Sequence, residues 1–419
     1  MLIKIPKGTQ DILPEDINKW YYIENIIRKI LNKYGYKEIR TPIFEHTELF
    51  IRGIGESTDI VNKEMFTFPD RKGRSLTLRP EGTASVVRAY LEKRMDRISK
   101  VVKLFYFGPM FRCEKPQAGR YRQFNQFGIE LVGSQSPVAD VEIIAAALEI
   151  YETLGLKELR VLLNSVGCKK CRSDYIKKLK AFLYKKEDSL CYECKNRIRK
   201  NPLRVLDCKN ENCQVVLKNA PNIINNLCNE CSIHFEKVKS LLDDLKIEYT
   251  IDDKLVRGLD YYTKTAFEII SGELGAQNAI AGGGRYDDLV EELGGKETPA
   301  VGFAAGIERM IITMEKQKVS WPEKKSLDVF VVKTNEKDNS LAFTLLQKIR
   351  KSGLFADMDY SGKSLKSQMR IANKYGAKYT LIIGEEELSR NMIILRNMET
   401  KEQKEIKIDN LIDELSHNI

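Results

Sequence analysis

No stretch of this 419-residue chain is apolar for long enough to cross a membrane. The opening, MLIKIPKGTQDILPED, has no apolar region of the secretory kind. A cytoplasmic protein with no membrane partner is therefore expected. Internal repeats and low-complexity tracts are absent too, so neither repeat arrays nor disordered spacers organise the chain. Histidine is scarce, three in all. His46 follows a Pro-containing polar segment and takes no role, and His234 reads as a surface residue or, at most, a substitute metal ligand. Cysteine is not scarce. Nine occur, and in a cytosolic chain of this length they argue for metal binding or incidental use rather than a disulfide framework.

A chain of this length exceeds one hydrophobic core, so two or three domains are expected. Hydrophobic residues make up 42% and charged residues 31%, which suits packed, soluble domains. Lysine and arginine exceed aspartate and glutamate by 69 − 59 = 10. That diffuse excess is compatible with a polyanionic partner such as nucleic acid.

Along the chain, Trp20, Ile23, Ile27, Ile30, Leu31 and Tyr34 recur at helical spacing after Pro14, and Gly35 marks the end. YKEIRTPIFEHTELF reads as a strand running past Pro42. Residues 65–80 read as a hairpin turning at Asp70–Gly73, followed by a helix over 81–93. A second hairpin covers 103–133 and a helix follows over 138–154. Residues 168–231 differ in character and hold eight of the nine cysteines. Strands return at 261–270, 279–284 and 299–306, with a helix over 307–314. MEKQKVSWPEKKS reads as a linker. From Leu327 strands and helices alternate (LDVFVV, FADMDY and YTLIIG with helices between), which predicts a compact α/β domain of about 90 residues.

The 103–133 segment, KLFYFGPMFRCEKPQAGRYRQFNQFGIELVG, carries the strongest signal. Tyr121, Phe127, Ile129 and Leu131 fall on one side of its second strand, with Arg120, Arg122, Gln126 and Glu130 on the other. Its first strand separates Phe105, Phe107 and Phe111 from Arg112 and Glu114. An apolar core side and a charged floor are expected. Glu81, Arg112, Gln126, Glu130 and Arg257 all lie in half-buried settings, where unpaired charge costs several kcal/mol. A ligand carrying both an amine and an anionic group would pair with them.

Taken together, KGTQDILP, YGYKEIRTPIFEHTELF, LTLRPEGTASVVRAY, FRCEKPQAGRYRQFNQFGIE and AVGFAAGIERMI resemble the motifs of class II aminoacyl-tRNA synthetases. LVRGLDYYTKTAFE at 255–268 and GGGRYDDLV at 282–290 narrow the resemblance to the histidyl-tRNA synthetase family, of bacterial type. The resemblance runs nearly end to end. It implies an α+β fold: an antiparallel sheet flanked by helices in a catalytic domain over 1–322, a helical cysteine-rich insertion over about 165–240, and an α/β anticodon-binding domain over 326–419. It implies ATP as substrate with Mg²⁺, L-histidine and tRNA(His) as partners, and a homodimer.

The chemistry explains the residue types. A carboxylate must attack the α-phosphate of ATP, and forked guanidinium groups hold phosphate oxygens without losing charge. By the resemblance, Arg112 holds the α-phosphate, Arg120 reaches the β/γ end, and Arg309 lies across the adenine and the bent triphosphate. Arg257 touches both the substrate carboxylate and the α-phosphate, which makes it and Arg112 the catalytic candidates. Glu81, Thr83 and Gln126 match the α-amino contacts. Glu130 and Tyr262 match the imidazole contacts, with Tyr261 beside them. Gly282, Gly283 and Gly284 are expected to let backbone approach the substrate, and Gly302 and Gly306 to do so near the nucleotide. Cys113 and Asn125 depart from the residues many relatives carry there, and tuning rather than loss of activity is expected.

Cys168 and Cys171, Cys191 and Cys194, Cys208 and Cys213, and Cys228 and Cys231 form four pairs at ligand spacing. Two pairs complete one tetrahedral site, so eight cysteines would serve two structural Zn²⁺ sites, with the choice of pairs left open. In the C-terminal domain, Lys363, Lys366, Arg370 and Lys374 share one helix side, a stripe able to meet phosphates. The turn at 115–119 is expected to face the acceptor end of the tRNA. The same motifs are similar to the synthetase-like regulatory subunit of ATP phosphoribosyltransferase, which tends to lack the intact LVRGLDYYTKT and the C-terminal domain. A relative charging proline or threonine is the third reading, and Glu130 with Tyr262 argues against it.

Overall fold

The computed structural model describes residues 2–56, 58–117, 119–206, 208–272, 279–322 and 326–418. The chain divides into two compact units, Met1–Pro322 and Glu323–Ile419. Ala118 of the expected tRNA-facing turn and residues 323–325 of the expected linker lie outside the described residues.

The first unit opens with α1 (Ile17–Lys33), β1 (Lys37–Glu38), β2 (Phe44–His46), α2 (Thr47–Ile54), β3 (Phe66–Pro69), β4 (Ser75–Leu78) and α3 (Thr83–Glu92). The long hairpin β5 (Val102–Phe111) and β6 (Gln123–Val132) follows, then α4 (Pro137–Thr153) and β7 (Leu159–Gly167). The insertion holds α5 (Lys169–Tyr184), α6 (Tyr192–Lys200), α7 (Glu211–Leu217) and α8 (Asn229–Asp244). The unit closes with β8 (Tyr249–Ile251), β9 (Thr263–Ser271), β10 (Ala279–Arg285), α9 (Leu289–Glu292), β11 (Ala300–Gly306) and α10 (Ile307–Lys316).

Eight strands form one sheet in the order β1-β5-β6-β11-β10-β9-β7-β8. It is antiparallel except at its two edges, where β1 runs with β5 and β8 with β7. Alternation along the strands sends Phe105, Phe127, Ile129, Val301, Phe303, Phe267 and Ile269 to one face, where they pack with Trp20, Ile23, Ile27, Ile144 and Met310 of the covering helices. That burial holds the opposite face in place as the floor of a cleft. β2, β4 and β3 make a separate three-stranded sheet, turning at Gly73, whose φ of 78° suits glycine.

The α+β sheet-and-helix architecture expected from the sequence is present, with four local corrections. The long strand expected across Pro42 is only β1 before the break, and β2 resumes at Phe44. β6 begins at Gln123, so Arg120, Tyr121 and Arg122 belong to the connecting loop instead of alternating along the strand. β7 and β8, unanticipated, complete the sheet, β7 as a largely buried LRVLLNSVG run. The expected linker starts packed: Val319 and Trp321 lie against the core, and the Trp321 ring meets Tyr22 edge-on at 6.3 Å.

The second unit has β12 (Val329–Lys333), α11 (Asn339–Lys351), β13 (Ala356–Met358), α12 (Leu365–Lys374), β14 (Tyr379–Ile383), α13 (Glu385–Leu388), β15 (Met392–Asn397), β16 (Gln403–Lys407) and α14 (Leu411–Asn418). Its sheet order is β13-β12-β14-β15-β16. β12 is buried on both faces, Val329 and Val331 in one cluster and Phe330 and Val332 in another, which is why it reads as an unbroken apolar run. The β15–β16 hairpin and α14 were not anticipated. Lys363, Lys366, Arg370 and Lys374 are all exposed.

Candidate active site

The floor of the cleft is paved with small residues. Strand register sets Gly302 opposite Glu130, Ala304 opposite Gly128 and Gly306 opposite Gln126. It continues with Gly282 beside Ala304 and Glu268. Glu130 and Gln126, four residues apart on the same face of β6, therefore rise from a glycine and alanine surface. The glycines make room for functional side chains. A Cβ on Gly302 would strike the Glu130 carboxylate, one on Gly282 the Arg257 guanidinium, and one on Gly82 or Gly128 the Tyr106 ring. Gly306 is open, with Arg309 Cγ 3.9 Å from where its Cβ would be. Gly283 is packed instead against the Gly302 carbonyl and Phe303.

At one end of the floor, Glu81 sits just before α3, where its carboxylate accepts the backbone N–H groups of Thr83 (2.6 Å) and Ala84 (2.9 Å). Thr83 Oγ1 donates to Glu130 (2.7 Å), and the Tyr286 hydroxyl donates to the other Glu130 oxygen. Tyr261 and Tyr262 are buried beside them, rings 4.8 Å apart, and Tyr261 meets Tyr286 at 5.6 Å. Burial raises the Glu81 carboxyl against the pull of its N–H donors. Burial also pushes Glu130 up to about 8; the Tyr286 and Thr83 bonds oppose this and the nearby Glu81 charge adds to it. Gln126 Oε1 is buried with no hydrogen-bond partner among the described residues. An orphaned buried acceptor on the same strand face as Glu130 is a place made for a ligand's hydrogen-bond donor.

The other end is crowded with guanidinium groups. Arg112, Arg120, Arg257 and Arg309 line a cavity of about 240 Å³ together with Gln126, Glu268, Gly282 and Gly306. Arg112 is steadied by Nε donating to the Pro80 carbonyl (2.9 Å) and lies 5.4 Å over the Phe124 ring. Arg120 pairs with Glu114 at 2.8 Å. Arg257 pairs with Glu268 on β9, and its Nε is buried without a partner among the described residues. Arg309 donates to the carbonyls of Ala279 (2.7 Å) and Gly119 (3.3 Å), tying α10 to the loop before β6. Burial and then the positive Arg120 lower its pKa. Crowded like charges of this kind favour a polyanion.

The sequence reading missed four contributors: Tyr286, which grips Glu130; Glu268, which holds Arg257; Tyr106, whose ring fills the space over Gly82 and Gly128; and Glu308, which accepts from Asn125 Nδ2 (3.0 Å) and its backbone N–H (2.8 Å). Tyr286, Glu268 and Glu308 lay inside motifs already singled out, but only their contacts with distant segments show which way they point. Asn125 thus couples β6 to α10, and the Cys113 N–H bonds the Glu64 carbonyl at 2.7 Å.

The histidyl-tRNA synthetase family model matches residues 8–310, and an anticodon binding domain model matches 328–418. The chain belongs to the histidyl-tRNA synthetase family. A histidine–tRNA ligase of Halothermothrix orenii is 54% identical over 99% of both chains. One from Acetivibrio thermocellus is 51% identical over 99% of this chain and all of its own. The crystal structure of apo S. aureus histidyl-tRNA synthetase, 41% identical, superposes with a TM-score of 0.83 over 99% of this chain and all of that one.

In this synthetase the eight insertion cysteines gather as Cys168, Cys171, Cys228 and Cys231, and as Cys191, Cys194, Cys208 and Cys213, the sulfurs of each set lying within 4.8 Å of one another. The outermost pairs join each other and so do the inner ones. A tetrahedral site with Zn–S near 2.3 Å requires sulfurs about 3.8 Å apart, and the separations of 3.6 Å for Cys168–Cys171, 4.0 Å for Cys168–Cys228 and 3.9 Å for Cys191–Cys208 fit it. Backbone N–H groups of Cys228 (3.0 Å) and Cys191 (3.2 Å) point at the sulfurs of Cys171 and Cys213. His234 is not a surface residue. It is buried on α8, with Nε2 3.2 Å from Asp140, which also holds the fully buried Arg285 at 2.8 Å. It lies in neither cysteine set.

Proposed function

We propose that the chain is a histidine–tRNA ligase whose sheet floor reads the amino acid and whose arginines hold ATP. The class of reaction follows from family membership: L-histidine and ATP give histidyl-adenylate and diphosphate, and the histidyl group passes to the 3′ end of tRNA(His). In the first step the histidine carboxylate oxygen bonds to the α-phosphorus while the bond to the β-phosphate oxygen breaks. In the second, a hydroxyl of the terminal ribose attacks the adenylate carbonyl and AMP leaves.

The orphaned Gln126 oxygen carries this reading. With Glu81 and Thr83 Oγ1 it offers acceptors for the three N–H bonds of an α-ammonium group. Glu130, held by Thr83 and Tyr286, takes one imidazole nitrogen and Tyr262 the other, with Tyr261 packed behind. A pocket that hydrogen-bonds both nitrogens rejects side chains lacking them, because its own buried groups would be left unpaired. Arg257 reaches the carboxylate and the α-phosphate, exchanging its Glu268 pairing for them. Arg112 stabilises the α-phosphate charge as it spreads, Arg120 holds the distal phosphates, and Arg309, with Gly302 and Gly306 nearby, lies along the nucleotide. Catalysis is then mostly positioning and charge stabilisation.

Among the described residues, the groups of three or more metal-ligating side chains are the two cysteine sets, which fits Mg²⁺ entering on the triphosphate. The cysteine sets would hold structural Zn²⁺. The exposed basic face of α12 fits a tRNA backbone. A homodimer is supported by the apolar residues Ile43, Phe44 and Phe68, exposed around the small three-stranded sheet. No helix among the described residues is long and apolar enough to cross a membrane, and we place the enzyme in the cytoplasm. ATP–pyrophosphate exchange across the twenty amino acids, without tRNA, tests the reading. Exchange with histidine alone is expected; none with any amino acid, in folded protein that binds histidine, would leave a regulatory binding module.

A further inference from the structure

The histidine site has a second anchorage that the chemistry above does not use. The segment 256–262 carries Arg257, Tyr261 and Tyr262, and it is gripped from the insertion at Asp260 and Tyr262. Arg172, next to Cys171 in the first turn of α5, sends Nη1 to the Asp260 carbonyl (3.3 Å) and Nη2 to the Tyr262 carbonyl. Its Nε is buried without a partner among the described residues. Asn201, at the end of α6, donates to the Asp260 carboxylate at 3.0 Å. The Asp260 N–H bonds Ile54 at 3.1 Å, closing the segment against α2. Arg204, three residues beyond Asn201, pairs with Asp59 at 3.0 Å.

Each grip starts from a different cysteine set. Cys168 and Cys171 open α5 at its N-terminus, and Cys228 and Cys231 open α8. Cys191 and Cys194 open α6, which ends at Asn201. A Cys₄ site with Zn²⁺ carries about two negative charges, and a buried guanidinium one residue from Cys171 is the matching countercharge. Without the metal, the short helical turns that aim Arg172 and Asn201 lose what fixes their origin.

We propose that Arg172 and Asn201 are positioning residues that clamp the histidine-binding segment at Asp260, each fixed by one cysteine set, so that histidine binding depends on the metal state of the insertion. The proposal rests on the assignment of Tyr262 and Arg257 to histidine. ATP depends less on the clamp, because Arg112, Arg120 and Arg309 are held by Pro80, Glu114, Ala279 and Gly119, all outside the insertion.

Arg172→Ala, Arg172→Lys and Asn201→Ala, measured by pyrophosphate exchange, histidine calorimetry and metal content, separate this from general damage. In Arg172→Ala the KM and Kd for histidine should rise about tenfold or more while the KM for ATP stays within about twofold, with bound metal retained. Arg172→Lys should recover part of the loss, and Asn201→Ala should show about a threefold rise. Stripping the wild-type enzyme with a zinc chelator should weaken histidine binding by calorimetry, and adding Zn²⁺ back should restore it. The proposal is overturned if folded Arg172→Ala binds histidine like the wild type, or if both KM values rise in proportion. Should Arg172→Ala not fold, unchanged histidine binding in both Arg172→Lys and the stripped enzyme overturns it equally. Wild-type protein that fails to bind histidine at all would instead sink the underlying assignment.

Discussion

The sheet floor and the cysteine-rich insertion solve the same problem by opposite means. On the floor, charged groups are held by an eight-stranded ladder whose far face is packed with aromatic and branched side chains. The insertion has a core of its own, but a small one around Tyr175, Leu179, Leu183, Ile198 and Leu217, into which Cys194, Cys208 and Cys213 are packed. A large core can hold unpaired polar groups such as Gln126 Oε1 ready for a ligand. A small one needs staples, and the two cysteine sets are placed to supply them if each holds a metal ion. Substitutions on the floor should therefore damage chemistry with little unfolding, and substitutions in the insertion should loosen structure first.

The largest expected loss is at Arg112. Arg112→Ala should lower the exchange rate by about 10²–10³-fold with a nearly unchanged melting temperature, read by exchange kinetics and calorimetry. Next, Glu130→Gln keeps the shape but replaces one acceptor oxygen with an amide donor, and should raise the KM for histidine about 10–100-fold while leaving that for ATP alone. On the insertion side, Cys194→Ser should release metal from its cluster and speed proteolytic cleavage within α6–α7, with the catalytic core still folded. An insertion that resists proteolysis as well as the wild type would break the contrast.

A pH test sharpens it further. With Glu130 raised to about 8 by burial, the folded chain keeps a proton there that the unfolded chain releases near an ordinary carboxyl pKa of about 4.3. That stabilising proton is fully present below the unfolded value and is lost as pH climbs through about 8. The melting temperature of the ligand-free protein should accordingly fall between about pH 5 and 8. Glu130→Gln, neutral throughout, should flatten the fall, and a slope identical to the wild type would assign it elsewhere. The smallest effect is at Asn125. Asn125→Ala leaves the Glu308 carboxylate with only its backbone donors and should destabilise by about 1 kcal/mol in denaturant unfolding.

Much of this was legible beforehand. Alternation along 123–132 placed Gln126 and Glu130 opposite Phe127 and Ile129, because a two-residue period follows from the pleat. Motifs named the family and the fold. What stayed hidden depended on contacts between distant segments. Tyr286 reaches Glu130 across 156 positions and His234 reaches Asp140 across 94, and neither separation leaves a local trace. The joining of outer with outer and inner with inner cysteine pairs is likewise a product of where α5, α6, α7 and α8 begin. Arg120 and Tyr121 were misplaced because a loop of mixed charge can mimic strand alternation for a few residues.

The account turns on Arg257, which is lodged over Gly282 and paired with Glu268 and which we propose touches both substrates. The direct test is histidine-dependent pyrophosphate exchange by Arg257→Ala, with histidine and ATP binding measured alongside. Exchange lost by about 10²-fold or more, with ATP still bound, is the predicted result. An unchanged exchange rate would remove Arg257 from the reaction and contradict the account.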